Sequence, residues 1–120
     1  MSHRLLIVDD HPGFRRTAAR SLGAAGWDVV GEAADGAGAL REAERCAPDL
    51  VLLDVGLPDI SGIEVARRLH DRDPDLAIVV TSTHERADYG ELATTAGACG
   101  FISKLDLDGD SLEALLKSQA

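Results

Sequence analysis

The chain has 120 residues, the length of one ordinary domain, and 45% of them are hydrophobic, so it can bury a substantial core. Only 3% of the residues are aromatic, and the core must therefore be built mainly from aliphatic side chains. The formal net charge of −9 argues against nucleic acid or an anionic membrane as a direct partner, because both are bound through basic surfaces.

The start of the chain and its cysteines are typical of a cytoplasmic protein. The first apolar run begins at Leu5 and is far too short to span a membrane, and no targeting pattern precedes it. Cys46 and Cys99 are far apart and lack CxxC spacing or matching histidines. We therefore expect two reduced, buried thiols rather than a disulfide or a metal site.

The first half of the chain predicts two strand–helix pairs. Short continuous apolar runs at 5–8 and 29–31 are typical of strands buried on both faces of a sheet. The helix between them ends at Gly26, a residue favoured at helix C-termini. Its apolar stripe consists of Phe14, Ala18, Leu22 and Ala25. Asp35 is placed to cap the second helix.

Three more pairs follow in the same order. Their predicted strands are 50–55, 76–80 and 99–102. Ser61 and Glu64 have the spacing of a capping box and open the third helix, and Asp110 is the predicted cap of the fifth. The fourth helix stops at Gly97, and its apolar stripe is Tyr89, Leu92, Ala93 and Ala96. This alternation predicts one α/β domain, a parallel sheet with helices on both faces and right-handed crossovers.

Polar side chains stand where the predicted strands end. Asp9 and Asp10 follow the first strand, Asp54 ends the third, Thr81 follows the fourth and Lys104 follows the fifth. In a doubly wound sheet the binding site lies at the C-terminal ends of the strands, so we expect these five side chains to converge. Adjacent carboxylates repel each other unless a cation lies between them. Mg²⁺, a hard cation held by carboxylates and phosphate oxygens, is the natural partner.

The same side chains indicate phosphoryl chemistry. Lys104 can hold an anion, and together with magnesium it could accommodate a phosphoryl group. Asp54 stands alone at its strand end and is free to act as a nucleophile, since carboxylates form aspartyl-phosphates. Each residue taken singly has an ordinary explanation as a turn or capping residue. The joint pattern is the signal for function.

Four stretches resemble the receiver domain of bacterial two-component response regulators, and the resemblance covers essentially the whole chain. They are LLIVDDHPGFR, PDLVLLDVGLPDISGIEV, IVVTS and GACGFISK. The resemblance implies a single receiver domain over residues 1–120. Its implied fold is a flavodoxin-like (βα)5 domain whose doubly wound, parallel five-stranded sheet has strand order 2-1-3-4-5.

The resemblance also implies the chemistry of the site. Asp54 would be the phosphoacceptor, taking the phosphoryl group from the phosphohistidine of a sensor histidine kinase. Asp10 and Asp54 would bind Mg²⁺ directly, with Asp9 acting largely through water. The backbone carbonyl of Gly56 would complete the protein's metal ligands. The domain would catalyse its own phosphoryl transfer and dephosphorylation, but no independent metabolic reaction.

Further residues match the family's conformational switch. Thr81 would hydrogen-bond the phosphoryl group, Phe101 matches the aromatic residue that moves with it, and Lys104 would pair with the carboxylate and then with the phosphate. Phosphorylation would change the surface made by helix four, strand five and helix five, to control transcription or to drive formation of a homodimer. In this chain that surface would include Arg86, Tyr89, Asp106 and Lys117.

One departure from the family and two alternatives complete the sequence-based interpretation. Lys104 is followed by Leu105 where the family commonly has Pro, and with the Asp-Asp-His-Pro stretch this resembles the branch that usually carries a C-terminal helix-turn-helix DNA-binding domain. We expect no such output domain in this chain, which is either an excised receiver or a stand-alone one. The alternative function is a phosphorylation-independent pseudo-receiver that binds proteins, although such modules usually lose an acid, the hydroxyl or the lysine. A flavin-binding electron carrier is rejected, because Asp9 and Asp10 would repel its phosphate.

Overall fold

Strands and helices alternate along the chain in the computed structural model, which describes residues 3–83 and 89–117. In chain order they are β1 (Arg4–Val8), α1 (Pro12–Ala24), β2 (Asp28–Ala33), α2 (Gly36–Cys46), β3 (Leu50–Asp54), α3 (Gly62–Arg72), β4 (Ala77–Ser82), α4 (Tyr89–Thr95), β5 (Gly100–Ser103) and α5 (Gly109–Lys117). The strands described here are all parallel and lie in the order β2-β1-β3-β4-β5. The predicted doubly wound, flavodoxin-like (βα)5 fold is confirmed.

Alternate residues of the central strand pack on opposite faces of the sheet. In β3, Leu50 and Leu52 face a cluster shared with α1 and α5, whereas Val51 and Leu53 face a cluster shared with α2, α3 and α4. Both faces are therefore covered by helices. This explains why the strands appear in the sequence as continuous apolar runs.

Three predicted helix ends are confirmed. The Asp35 side chain accepts a hydrogen bond from the Gly38 amide at 2.7 Å and caps α2. The Ser61 hydroxyl accepts one from the Glu64 amide at 3.2 Å and caps α3. Gly26, just past the end of α1, has a φ of +102°, a left-handed conformation that glycine adopts without strain.

The predicted cap of α5 is wrong by two residues. Asp110 lies exposed in the first turn of the helix, and Asp108 caps it instead. The Asp108 carboxylate accepts hydrogen bonds from the Ser111 amide at 2.7 Å and from the Ser111 hydroxyl at 2.6 Å. Either aspartate has the right spacing to a later amide, but only Asp108 gains the second bond from a serine hydroxyl.

Two residues assigned to apolar stripes are in fact exposed. Leu92 in α4 is 42% exposed, because the smaller Ala93 in α4 and Ala96 just past its end are the residues that pack against the sheet. Leu92 instead lines a groove between α3 and α4. Ala25 is exposed because α1 ends at Ala24, so that the next residue no longer follows the helical rotation.

The single tryptophan packs at the amino ends of the strands. Trp27, just before β2, is buried in the cluster shared by α1 and α5, and its indole N–H donates to the Gly109 carbonyl oxygen at 3.3 Å. Its ring centroid lies 5.4 Å from that of His3. This contact joins the start of α5 to the end of the sheet opposite the site.

Cys46 and Cys99 are both free thiols, but the prediction that both are buried is wrong for Cys99, which is only partly buried beside the cluster of α1 and α5. Cys46 is buried at the end of α2, and its thiol donates to the Val30 carbonyl oxygen at 3.3 Å. None of the helices in the described ranges is long and apolar enough to cross a membrane.

Candidate functional site

The alternation of side chains between the two faces of each strand brings four of the predicted site residues to one face of the sheet. Each of the four follows, by two positions, a residue that packs in the cluster of α1 and α5; they are Asp9, Asp54, Thr81 and Lys104. Those preceding residues are Ile7, Leu52, Val79 and Ile102. Because successive side chains in a strand alternate between faces, the four polar side chains continue the same face at the carboxyl edge of the sheet. Asp54 and Thr81 are also direct partners in the pairing of β3 with β4.

Lys104 is held among acidic groups and an aromatic ring. Its Nζ lies 2.5 Å from Asp9 Oδ2 and 3.8 Å from Asp54 Oδ1, and only 8% of its side chain is exposed. The same atom lies 4.2 Å from the centroid of the Phe14 ring. The lysine is therefore closer to Asp9 than to Asp54, the partner that the family resemblance implies.

Three carboxylates and one imidazole form a compact cluster. Each of Asp9, Asp10, Asp54 and His11 offers one oxygen or nitrogen atom, and these atoms all lie within 4.8 Å of one another. Asp9 and Asp54 are buried. Asp10 Oδ1 is also buried, yet no described residue donates a hydrogen bond to it. Closely spaced carboxylate oxygens, one of them without a hydrogen bond, are the donor set that a hard divalent cation prefers.

The environment of Asp54 disfavours its charged form. Burial raises the pKa of Asp54 above its ordinary value, and the negative charge of Asp9 raises it further. Lys104 and the backbone N–H of Gly56 oppose this by lowering the pKa, while Asp10 adds a smaller upward effect. A cation bound beside Asp54 would favour the carboxylate.

A cleft of about 250 Å³ opens beside Asp54, and its lining includes Gly56, Tyr89 and Lys104. Gly56 is exposed, and a Cβ atom there would lie 3.8 Å from Asp54 Oδ2, so the approach to the carboxylate is open on this side. The Thr81 side chain is 1% exposed, and its hydroxyl has no hydrogen-bond partner among the described residues. The cleft can hold a group of the size of a phosphoryl.

The aromatic residue of the predicted switch lies on the opposite face of the sheet. Phe101 is partly buried against the cluster of α2, α3 and α4. The Tyr89 ring, at the start of α4, lies 5.5 Å from the Phe101 ring at an interplanar angle of 45°. Tyr89 thus contacts Phe101 and also lines the cleft, a position that its helical spacing could not indicate. Arg86, which was assigned to the same surface, lies outside the described residues.

Two other residues were missed because their contacts depend on the fold. A Cβ at Gly62 would lie 2.1 Å from the backbone oxygen of Asp54, so only glycine lets α3 begin against this carbonyl. The Arg15 guanidinium donates to the backbone oxygen of Asp9 at 2.6 Å and lies 3.3 Å from the Glu32 carboxylate. Glycine and arginine have no spacing pattern that would have marked either position.

Comparison with known proteins gives one consistent family. The sequence model described as "Response regulator receiver domain" matches residues 5–117. Transcriptional activator protein ExaE of Pseudomonas putida is 41% identical over 112 residues, which are 92% of this chain and 52% of that protein. Response regulator GacA of Pseudomonas aeruginosa is 35% identical over 116 residues, 96% of this chain and 52% of that protein.

The structural comparison agrees. The crystal structure of a two-component response regulator of the LuxR family from Aurantimonas sp. SI85-9A1 is 33% identical with a TM-score of 0.89, and the match covers 98% of this chain and 87% of that one. The chain spans about half the length of the curated relatives it matches. Since the family match covers nearly every residue and the fold agrees, the chain belongs to the family of response regulator receiver domains.

Proposed function

We propose that the chain is a phosphorylation-activated switch in which Asp54 accepts a phosphoryl group from the phosphohistidine of a sensor histidine kinase, in a reaction that depends on Mg²⁺. The observation that carries this proposal is the position of Asp54. It is a buried carboxylate at an open cleft, 3.8 Å from the Lys104 amine and clustered with Asp9 and Asp10.

In the proposed transfer, an Asp54 oxygen attacks phosphorus and forms an O–P bond as the N–P bond of the phosphohistidine breaks. The departing imidazole nitrogen keeps the bonding electron pair and takes a proton from solvent. Lys104 is close enough to neutralise charge on the carboxylate and then on the transferred group. The buried Thr81 hydroxyl supplies a donor for a phosphoryl oxygen on the same face.

The residues present fit a magnesium ion. Asp10 and Asp54 would hold it directly, Asp9 would act through water, and the Gly56 carbonyl would supply a further oxygen. The buried Asp10 oxygen without a hydrogen bond supports this assignment. When bound, Mg²⁺ would offset the negative charge that collects on the carboxylates and the phosphoryl oxygens.

The proposed switch reaches the surface through aromatic residues. A phosphoryl group that draws in the Thr81 hydroxyl would change the packing beneath Phe101, and Phe101 contacts Tyr89 in α4. We propose that this alters the surface of α4, β5 and α5, to favour a homodimer and to control transcription by the protein of which this domain is a part. DNA binding would belong to another domain, since this chain has a net charge of −9. Such a switch would act in the cytoplasm.

The test is intact mass after incubation with acetyl phosphate, with and without MgCl₂. We expect the wild type to gain one phosphoryl group only with Mg²⁺, and Asp54→Asn to gain none. Asp71→Asn is the matched control, because it makes the same chemical change at an exposed site in α3 and should leave phosphorylation unchanged. If the folded wild type gains no phosphoryl group and its NMR spectrum does not respond to beryllofluoride with Mg²⁺, the chain is a pseudo-receiver instead.

A further inference from the structure

The acidic cluster of Asp9, Asp10, Asp54 and His11 contains a nitrogen donor that the proposed magnesium site does not use. We propose that His11 Nδ1 joins Asp10 and Asp54 as a ligand, so that the site prefers first-row transition-metal ions such as Ni²⁺ and Co²⁺ over Mg²⁺ by more than its carboxylates alone would give. This inference rests on the proposed function, because it concerns the same metal site. Its consequence is that a transition-metal ion would compete with magnesium for the receiver.

The spacing of the atoms is that of neighbouring ligands. His11 Nδ1 lies 3.0 Å from Asp10 Oδ1, and its contact with Asp9 Oδ1, at 3.1 Å, is a hydrogen bond. Two neighbouring ligands of an octahedral ion, each about 2.1 Å from it, are about 3.0 Å apart. The imidazole nitrogen is thus at ligand spacing from the Asp10 oxygen.

The contact with Asp10 is not explained by a hydrogen bond. Asp10 Oδ1 accepts none from any described residue, although His11 Nδ1 is at hydrogen-bond distance. The two atoms are therefore close but not oriented toward each other as donor and acceptor. His11 Nδ1 instead makes a hydrogen-bonding contact with Asp9 Oδ1 at 3.1 Å, which holds it beside Asp10 Oδ1 and which a bound ion would replace.

A second buried polar group points to a ligand at the same edge of the sheet. The Thr81 hydroxyl is 1% exposed, has no hydrogen-bond partner in the described ranges and rises from the residue paired with Asp54. Buried hydroxyls without a partner are uncommon in folded proteins. A metal ion with its bound water or phosphate oxygens would supply the missing acceptor.

The local backbone holds the imidazole in place and leaves it open to incoming ions. The His11 backbone N–H donates to Asp9 Oδ1 at 2.8 Å, which fixes the residue beside the carboxylates. The side chain is 69% exposed, so an ion can reach it from solvent. Imidazole nitrogen adds little affinity for Mg²⁺, which prefers oxygen, but much for Ni²⁺, Co²⁺ and Zn²⁺. The nitrogen ligand therefore changes which metal ion the site prefers, whereas the carboxylates create the site itself.

The test is isothermal titration of the whole chain with NiCl₂ and with MgCl₂. We expect His11→Gln to weaken Ni²⁺ binding by on the order of tenfold or more and Mg²⁺ binding by less than about twofold. His3→Gln is the matched control, since it removes an imidazole that packs on Trp27 at the opposite end of the sheet, and should leave both affinities unchanged. Equal ratios of Ni²⁺ to Mg²⁺ affinity in the wild type and His11→Gln would overturn the proposal.

A spectroscopic measurement identifies the ligand directly. With Co²⁺ bound, the proton NMR spectrum should contain a strongly shifted imidazole resonance that is missing from His11→Gln and from His11→Ala, and its persistence in both variants would also overturn the proposal. The two proposals can fail separately. If both variants are phosphorylated with Mg²⁺ but bind Ni²⁺ as the wild type does, only the ligand assignment fails. If no variant is phosphorylated but Ni²⁺ binding still depends on His11, only the phosphorylation proposal fails.

Discussion

At the scale of single residues, Asp54 combines a functional position with an unfavourable charge. Its pKa is raised by burial and by Asp9, so the folded protein disfavours the ionised carboxylate in the absence of a cation. A raised pKa in the folded state means that the contribution of Asp54 to stability is fully present below its ordinary pKa of 3.8 and is lost as the pH rises through the folded value. At neutral pH the charged Asp54 therefore destabilises the metal-free fold.

The first prediction follows from the raised pKa of Asp54. Without divalent cations at pH 7, Asp54→Asn should be more stable than the wild type by about 1 kcal/mol, because the neutral amide removes a buried charge. Urea denaturation in EDTA measures the difference, which should shrink in acid as the wild-type carboxyl becomes protonated. Adding MgCl₂ should stabilise the wild type more than the variant. A variant that is less stable in EDTA would contradict this account of Asp54.

The second prediction concerns the close approach of α3 to the backbone of Asp54. Gly62→Ala should destabilise the protein by about 2 kcal/mol, because the new Cβ would overlap the Asp54 backbone oxygen and force β3 and α3 apart. The rate of phosphorylation should fall as well, since the same shift moves the Asp54 backbone. Thermal denaturation and the acetyl phosphate reaction measure the two effects. Gly23→Ala is the control, because a Cβ there has no neighbour within 4 Å.

At the scale of elements, a side chain from the loop after β3 stabilises the start of α2. The Asp59 carboxylate accepts hydrogen bonds from the Gly36 amide at 2.7 Å and from the Ala37 amide at 3.0 Å. These bonds hold the pKa of Asp59 down at about 2. The loop that follows β3 is thereby attached to the amino end of α2.

The third prediction is a pH dependence of stability caused by Asp59. Because its pKa is lowered in the folded state, its contribution is present above the ordinary pKa of 3.8 and is lost as the pH falls toward about 2. Asp59→Asn should therefore be less stable than the wild type at pH 7, with the difference disappearing near pH 2. Urea denaturation across this range measures it, with Asp71→Asn as the control. A difference that stays constant with pH would show that charge is not the cause.

The fourth prediction concerns α4, the element between the cleft and the Phe101 ring. Within the described residues the helix is Tyr89–Thr95, and it includes Gly90, where a Cβ would meet no atom within 4 Å. Gly90→Ala should stabilise the protein by about 1 kcal/mol and slow hydrogen exchange in α4. In the wild type, α4 amides should exchange faster than those of β3, as a helix that changes position on phosphorylation requires. Equal protection of α4 and β3 would contradict the switch proposal.

At the scale of the whole molecule, the proposed change of the α4, β5 and α5 surface predicts a change of assembly. Sedimentation velocity should show a larger species when beryllofluoride and MgCl₂ are added to the wild type, and no change with Asp54→Asn. If the wild type sediments identically with and without beryllofluoride, while its NMR spectrum shows that the analogue binds, phosphorylation does not drive dimerisation.

The architecture was predictable from the sequence because its causes are local. The spacing of apolar residues and the residues typical of helix ends predicted the five strand–helix pairs, and the family resemblance supplied the strand order. Strand geometry also explains why four polar side chains share one face, since each lies two positions from a buried core residue. They are Asp9, Asp54, Thr81 and Lys104. What could not be predicted depends on contacts between elements.

Several details show where local reasoning stops. The closer pairing of Lys104 with Asp9 depends on the path of the loop after β5, and the bonds of Asp59 cross from one loop to a separate helix. The exposure of Leu92 depends on which residues of α4 meet the sheet. His11 stood beside the acidic pair in the sequence, but its ring position relative to both carboxylates is set by the turn into α1.

The position of Trp27 has a practical consequence for spectroscopy. The only indole of the protein lies at the amino ends of the strands and is hydrogen-bonded to the first residue of α5, whereas Asp54, the proposed phosphoacceptor, lies at the carboxyl ends. Its emission should therefore be insensitive to quenching by ions bound at the acidic cluster. Intrinsic fluorescence will instead report whether α5 is seated against the sheet, which makes it a probe of unfolding and of helix detachment at the surface proposed for dimerisation.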